Sequence, residues 1–136
     1  MGRILALDYG IKRCGLAVTD ILGISINPLP TQATKELPTY LLQYLREEEV
    51  TTLVIGDPIH KDGTATHLRK HIDKFVEQLR KRHVKPLEIE FVDEAHSSSE
   101  AKLMAVELGI KKSKRRDKAL VDQLSAMLIL RRFLNL

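Results

Sequence analysis

Residues 4–20 read ILALDYGIKRCGLAVTD, two apolar segments separated by a short polar stretch. Residues 3–9 are predicted to form a buried strand, because the apolar run at 4–7 is followed by a charge at Asp8, where a turn begins. Gly10 allows that turn to be tight. Residues 14–19 then alternate as a second strand. The chain is therefore predicted to begin with two antiparallel strands joined by a short loop.

The rest of the pattern adds one more strand to this meander and then alternates helix with strand. A third strand is predicted over residues 23–29, with Pro28 and Pro30 expected to end it. The later predicted elements are a helix over 38–49, a strand over 51–56, a helix around 68–79, a strand over 87–92, and helices over 97–108 and 118–133. This order predicts an α/β fold, with a mixed β-sheet and helices on both faces.

The composition fits one folded domain spanning residues 1–136. Of the 136 residues, 43% are hydrophobic and 29% are charged, values that are ordinary for a globular protein. No apolar run approaches the roughly 20 residues of a membrane span, and no secretory signal pattern is present, so a cytoplasmic location is expected. The one cysteine, Cys14, lies within an apolar alternation and is predicted to be a small buried side chain, not a catalytic thiol.

The excess positive charge of the chain is concentrated in one octet. Residues 111–118 contain six of the 22 lysines and arginines and a single acid, Asp117, while acidic and basic residues nearly balance elsewhere. A local basic patch of this kind suits contact with phosphates. From charge alone, a solvated linker before the last helix is an equally good interpretation.

Four acidic residues stand where a metal site could form. Asp8, Asp93 and Glu94 end predicted strands, and such ends can meet at one edge of a sheet, although a turn-forming role is the usual explanation for each acid. Asp122 lies inside an apolar helix, where a buried carboxylate needs a metal ion or a hydrogen-bond network; if the opposite helix face is buried instead, Asp122 is exposed. Three carboxylates, from two strand ends and one helix, would form an oxygen cage suited to Mg²⁺ or Mn²⁺, with Asp93 and Glu94 as alternatives at the second strand end.

The chain resembles the YqgF family, which is also called RuvX. Residues 4–20 are similar to the family's Asp-Tyr-Gly strand end, which is followed by Lys-Arg, Gly and a second strand. Four further blocks occur in the family's order: LVIGDPIHKDG at 53–63, FVDE at 91–94, SSSEA at 97–101 and KALVDQLSAMLIL at 118–130. The resemblance covers nearly the whole chain, and the shared order and spacing make it more specific than any single block.

The resemblance implies a ribonuclease H-like fold and a metal-dependent nuclease that hydrolyses phosphodiester bonds in structured nucleic acid. Such proteins are related to Holliday junction resolvases and are linked in bacteria to processing of precursor small-subunit rRNA. Asp8, Glu94 and Asp122 match the family's catalytic acids, and Asp93 is a further candidate metal ligand beside Glu94. The implied mechanism uses two Mg²⁺ or Mn²⁺ ions to activate water for in-line attack. RNA is favoured as the substrate, with a junction-cutting DNA nuclease as the alternative.

Basic residues near these acids are predicted to hold the nucleic-acid backbone through its phosphates. The predicted substrate-binding residues are Lys12, Arg13, Lys112, Lys114, Arg115 and Arg116. His60 and His96 lie in predicted loops and could move a proton, although a plain surface position is the commoner explanation for such histidines.

Two departures from the family pattern bear on function. Ala95 and His96 follow the Asp-Glu pair where the family usually has Arg, and Asp57 takes a usually apolar place in the Gly-x-Pro loop. A catalytically silent nucleic-acid-binding module of the same fold is therefore a second hypothesis. A phosphate-binding ATPase module is a third, motivated by residues 8–10, but such folds need two domains to enclose a nucleotide. The sequence leaves open whether two chains pair as a homodimer.

Overall fold

The computed structural model describes residues 2–58, 64–93, 97–115 and 117–135. Its strands are β1 (Arg3–Asp8), β2 (Arg13–Thr19), β3 (Ile26–Ala33), β4 (Val50–Asp57) and β5 (Glu88–Asp93). Its helices are α1 (Leu37–Glu47), α2 (Thr64–Arg82), α3 (Ser97–Glu107) and α4 (Lys118–Phe133), and a short 3-10 turn at Thr34–Glu36 precedes α1. In this described part of the chain, no helix has the length and apolar character that crossing a membrane requires.

The strands form a mixed sheet in the order β3-β2-β1-β4-β5. β1 pairs antiparallel with β2, and β2 with β3, whereas β1, β4 and β5 run parallel to one another. The carboxyl ends of the three parallel strands therefore lie at one edge of the sheet, where β1 turns back into β2. The predicted α/β architecture with a mixed sheet is confirmed.

Strand alternation divides the buried side chains of the sheet between two cores, one on each face. On one face, Leu5 and Leu7 of β1 pack with apolar residues of α1 and α2. On the other face, Ala6 of β1 and Ala17 of β2 pack under α4. α3 packs outside α4 through a third cluster. Helices therefore cover both faces, as predicted, and small side chains on the second face let α4 approach the sheet closely.

The two edge strands depart from the sequence-based expectations. Pro28 and Pro30 do not end the third strand, because β3 continues through both to Ala33. In the described sheet, β3 pairs with β2 on one side only. A proline has no N–H to donate, and it is tolerated in such a strand where its nitrogen faces the unpaired side. β5, expected to be buried, has no fully buried residue because it is the other edge of the sheet.

The end of α3 follows its prediction closely. Gly109 has a φ of +71°, which places it in the left-handed region that glycine adopts at helix ends. The N–H of Gly109 donates to the carbonyl of Val106, and the N–H of Ile110 donates to that of Ala105. This pair of hydrogen bonds is a Schellman motif, and it turns the chain from α3 into the basic octet.

Candidate active site at the carboxyl edge of the sheet

Asp8 is the last residue of β1 and lies at the edge where the parallel strands end. Strand alternation puts it on the same face as Ala6, which is the face covered by α4. Across the antiparallel ladder it stands opposite Gly15 of β2. Asp8 is half-buried, so its carboxylate lies at the rim between the α4 core and solvent.

Gly15 brings α4 directly onto the sheet beside Asp8. A Cβ placed on Gly15 would overlap the backbone carbonyl of Asp122, so any side chain at this position would displace the helix. The first turns of α4 are also tied to β3, because Thr31 donates to the carbonyl of Ala119 at 2.8 Å and Gln123 donates to that of Leu29 at 2.7 Å. The sequence therefore fixes Asp122 next to the strand end that carries Asp8.

The carboxylate of Asp122 has a cationic partner on β2. The Nε of Arg13 donates to Oδ2 of Asp122 at 2.5 Å, and the two side chains are 37% and 21% exposed. Burial raises the pKa of Asp122, while the hydrogen bond and charge of Arg13 oppose that rise. Asp122 is therefore only partly buried, and among the described residues it has a cationic partner in Arg13. That it binds a metal ion stays a prediction.

Cys14 lies beneath this pair on the other face of β2 and is fully buried. Its Sγ is 3.8 Å from the carbonyl oxygen of Gly10 and 3.4 Å from Oγ1 of Thr34. Burial raises the pKa of the Cys14 thiol, and the negative charges of Asp8 and Asp122 raise it further. The prediction of a small buried side chain is confirmed, and both carboxylates lie close enough to Cys14 to act on it.

Asp57 and Asp93 lie at the same carboxyl end of the parallel strands as Asp8, but on the opposite face of the sheet. They pair in register at the ends of β4 and β5. Phe91, two residues before Asp93, packs in the α2 core, and alternation places Asp93 on that face as well. The main-chain carbonyl of Asp93 accepts a hydrogen bond from Nη1 of Arg132 on α4 at 2.5 Å.

The unusual Asp57 has a structural role. Its Oδ2 lies 2.8 Å from Nη1 of Arg69 on α2, and Arg69 also pairs with Asp73 one turn later. The guanidinium of Arg69 stacks over the ring of Phe91, with 3.7 Å between its central carbon and the ring centroid. Asp57 therefore joins α2 to the ends of β4 and β5.

The predicted substrate-binding cations lie around the start of α4 and the β1–β2 loop. Lys12, Lys112 and Lys114 are exposed. Arg115 is half-buried, and its Nε is buried with no hydrogen-bond partner among the described residues. Arg116 lies outside the described residues. The octet leads directly into α4, whose cap Asp117 accepts from the N–H of Ala119, so these cations stand at the same end of the helix as Asp122.

Several predicted site residues lie outside the part of the chain that the structure describes: His60, Glu94, Ala95 and His96. Within the described part, no group of three or more acidic, histidine or cysteine side chains could by itself hold a metal ion. The two acids that α4 and β1 bring to one face nevertheless fit a divalent cation, because carboxylate oxygens are the donors that Mg²⁺ and Mn²⁺ prefer. Glu94 is the remaining candidate for a third donor.

Three residues that sequence reasoning missed hold this edge together. Gly15 has a signal in the sequence, since a glycine inside an apolar strand often marks a close backbone approach. Arg69 and Arg132 have none, because each acts through residues far away in the chain. Arg132 forms an ion pair with Glu100 in addition to its bond with Asp93, and it thereby joins α3, α4 and the end of β5.

Comparison with solved structures agrees with this architecture. T. thermophilus RuvC in complex with a Holliday junction substrate matches with a TM-score of 0.57 and 15% identity, over 98% of this chain and 96% of that one. A fowlpox virus resolvase bound to Holliday junction DNA matches with a TM-score of 0.53 and 14% identity, over 97% and 98%. At such identities the likeness establishes the fold, which is ribonuclease H-like.

Fold, site and sequence relatives together define a hydrolase that acts on phosphodiester bonds of nucleic acid. The chain belongs to the RuvX family, described as Holliday junction resolvase, whose model matches residues 2–136. A protein of Phocaeicola vulgatus is 42% identical over 99% of this chain and 96% of its own length, and one of Christiangramia forsetii is 42% identical over 98% of both. Both relatives carry the name "Putative pre-16S rRNA nuclease".

Proposed function

We propose that this chain is a Mg²⁺- or Mn²⁺-dependent nuclease that processes precursor 16S rRNA in the cytoplasm. The observation that carries the proposal is the packing of the Asp122 backbone against Gly15, the residue that stands opposite Asp8 in the ladder, so that both acids lie on the α4 face. The names of relatives about 40% identical over nearly the whole chain support the RNA substrate.

Asp8, Asp122 and Glu94 are the proposed metal ligands and catalytic acids. Asp93 is the less suitable of the two neighbouring acids, because it lies on the α2 face with Phe91, whereas Asp8 and Asp122 lie on the α4 face. Glu94 is proposed because it matches the family's acid in the sequence. Divalent metal ions bound by these carboxylates would supply an activated water and stabilise the leaving oxygen.

Basic side chains are proposed to bind the nucleic-acid substrate. Lys12 projects from the loop that follows Asp8, and exposed lysines of the octet stand at the start of α4. Together with the guanidinium of Arg13 they would hold the phosphates on either side of the scissile bond, which orients the backbone without reading its sequence. Positioning of this kind suits a substrate recognised by shape.

A Holliday junction is the second candidate substrate. It is favoured by the description of the family model, and two proteins of the same fold have been solved with junctions bound. The two substrates would meet the same acids and the same cations. They differ in the shape of the nucleic acid, which the chain would recognise through its phosphates.

A cleavage panel separates the candidates. The protein is incubated with RNA spanning an end of 16S rRNA and its precursor extension, with a duplex RNA, and with a four-way DNA junction, each in Mg²⁺, Mn²⁺ or EDTA. We expect metal-dependent cleavage of the precursor RNA and none in EDTA. Cleavage of the junction alone would favour the resolvase activity. Tight binding without cleavage of any substrate would favour a silent nucleic-acid-binding module.

A further inference from the structure

We propose that Arg13 is a positioning residue that occupies the carboxylate of Asp122 while no metal is bound and leaves it when metal arrives. The inference rests on the proposed function, since it assumes that Asp122 is a metal ligand. Its basis is the 2.5 Å contact between Nε of Arg13 and Oδ2 of Asp122, which joins β2 to α4 across the mouth of the site.

The backbone aims Arg13 at this carboxylate. Arg13 alternates with Cys14, which is fully buried on the opposite face, so the Arg13 side chain must project toward α4. The preceding loop is held tightly: the N–H of Thr34 donates to the carbonyl of Lys12 at 3.0 Å, and its hydroxyl donates to that of Gly10 at 2.7 Å. The pairing therefore follows from the main-chain path and is not a chance encounter of two surface side chains.

Arg13 and a divalent cation would compete for the same group. Asp122 is 21% exposed, and burial of its carboxylate makes a cationic neighbour favourable. A guanidinium hydrogen-bonded to Oδ2 and a metal ion bound to the same carboxylate repel each other, because both are cations held within a few ångströms. Metal binding therefore works against the ion pair, and the free energy needed to displace Arg13 lowers the metal's affinity.

The displaced guanidinium of Arg13 would contact the nucleic-acid substrate. Arg13 is 37% exposed at the rim of the site, so its fork of N–H donors can turn outward to a backbone phosphate. Metal and nucleic acid would then assist each other, since each stabilises the state in which Arg13 has left Asp122. The site would bind metal weakly without substrate and more tightly with it.

The test compares Mn²⁺ affinity, measured by calorimetry at about 0.15 M salt without nucleic acid, in the wild type and in Arg13→Gln. We expect Arg13→Gln to bind Mn²⁺ about three- to tenfold more tightly, because its carboxylate is no longer occupied. Arg13→Lys, which keeps the charge but not the guanidinium fork, should fall between the two. Thermal melting in EDTA establishes that each variant is folded, and Arg13→Lys carries the test if Arg13→Gln is not.

Arg3→Gln is the matched control. It removes the same type of side chain from a similar ion pair, 3.3 Å between Nε and Oε2 of Glu48, at the opposite end of β1. At this ionic strength screening over about 8 Å removes most of its effect on the site, so its Mn²⁺ affinity should equal that of the wild type. Asp122→Asn is measured alongside and should abolish Mn²⁺ binding. If it does, and Arg13→Gln binds Mn²⁺ no more tightly than the wild type, the proposal for Arg13 is overturned and the metal site stands. If Asp122→Asn binds Mn²⁺ like the wild type, the proposed metal site fails as well.

Discussion

At the scale of single residues, the environment of Asp122 disfavours the charge of its own side chain. The residue lies in a helix packed against the sheet, burial raises its pKa, and Arg13 offsets only part of that effect. A carboxylate kept for structure alone would be expected to have its pKa lowered by its partners. The net rise means that the ionised form is less stable in the folded protein than in the unfolded chain, which fits a residue retained to bind a cation.

We therefore expect Asp122→Asn to stabilise the metal-free protein. At pH 7 in EDTA, we expect the melting temperature to rise by roughly 1 to 4 °C because the penalty for the buried charge is removed. A raised pKa in the folded state favours the protonated form, so the wild type regains stability as pH falls through that pKa. The difference between the two proteins should therefore vanish below about 3.9, the pKa of an unfolded Asp.

With Mn²⁺ present, the wild type should become more stable than Asp122→Asn. Adding Mn²⁺ should raise the melting temperature of the wild type and have little effect on the variant, because only the wild type keeps all the proposed ligands. A variant that is less stable at pH 7, by about 1 to 3 kcal/mol, with a metal response equal to that of the wild type, would show that Asp122 is a structural partner of Arg13.

At the scale of elements, the position of α4 on β2 determines whether two acids far apart in sequence can act together. Gly15 is the contact point, with the backbone of Asp122 against its Cα. Small residues extend this surface along the sheet, since Ala6 and Ala17 also lie under α4. The proposed site thus depends on the small size of the side chains beneath the helix.

Gly15→Ala tests that dependence. The added Cβ would meet main-chain atoms of Asp122, which cannot turn aside as a flexible side chain can, so α4 must move. We expect a loss of about 1 to 3 kcal/mol in the free energy of unfolding, measured with urea, and weaker Mn²⁺ stabilisation of the variant. Gly23→Asn is the control, because nothing lies within 4 Å of a Cβ there and Asn tolerates its φ of +73°. A Gly15→Ala variant as stable as the wild type would contradict this packing.

The elements also mark the limit of what the sequence could predict. The strands around Asp8 and the extent of α4 followed from apolar periodicity, because those segments are buried. The edges of the sheet were harder to predict: the prolines of β3 are tolerated only because of the strand order, which no local pattern contains. The partnership of Arg13 and Asp122 joins residues 109 positions apart, and pairing over such a distance has no signature in one sequence.

At the scale of the whole molecule, positive charge and acidic site stand at the same end of α4. The chain carries a net charge of +4, and the octet that precedes α4 holds six of its cations. A surface of this kind concentrates an anionic polymer near the site before any specific contact forms. If the octet is instead a solvated linker, its charges should contribute nothing to nucleic-acid affinity. The two interpretations can therefore be distinguished by a binding measurement.

Replacing Lys112 and Lys114 together with Gln tests the octet. Removing one lysine–phosphate interaction should reduce the slope of log affinity against log salt by about 0.7 to 0.9, so we expect a slope lower by about 1.5 and weaker binding at low salt. The control replaces Lys81 and Lys85 with Gln, exposed lysines at the end of α2 and just beyond it. Fluorescence anisotropy with labelled RNA measures both. The same slope in wild type and octet variant would remove the octet from substrate binding.

The proposed site is tested by the rate of phosphodiester cleavage in saturating Mn²⁺ by three proteins: the wild type, Asp8→Asn and Asp93→Asn. The two acids end parallel strands at the same edge of the sheet, but only Asp8 lies on the face that α4 and Asp122 cover. We predict that Asp8→Asn loses activity roughly a hundredfold or more, whereas Asp93→Asn stays within about fivefold of the wild type. Full activity in Asp8→Asn would contradict the proposed site.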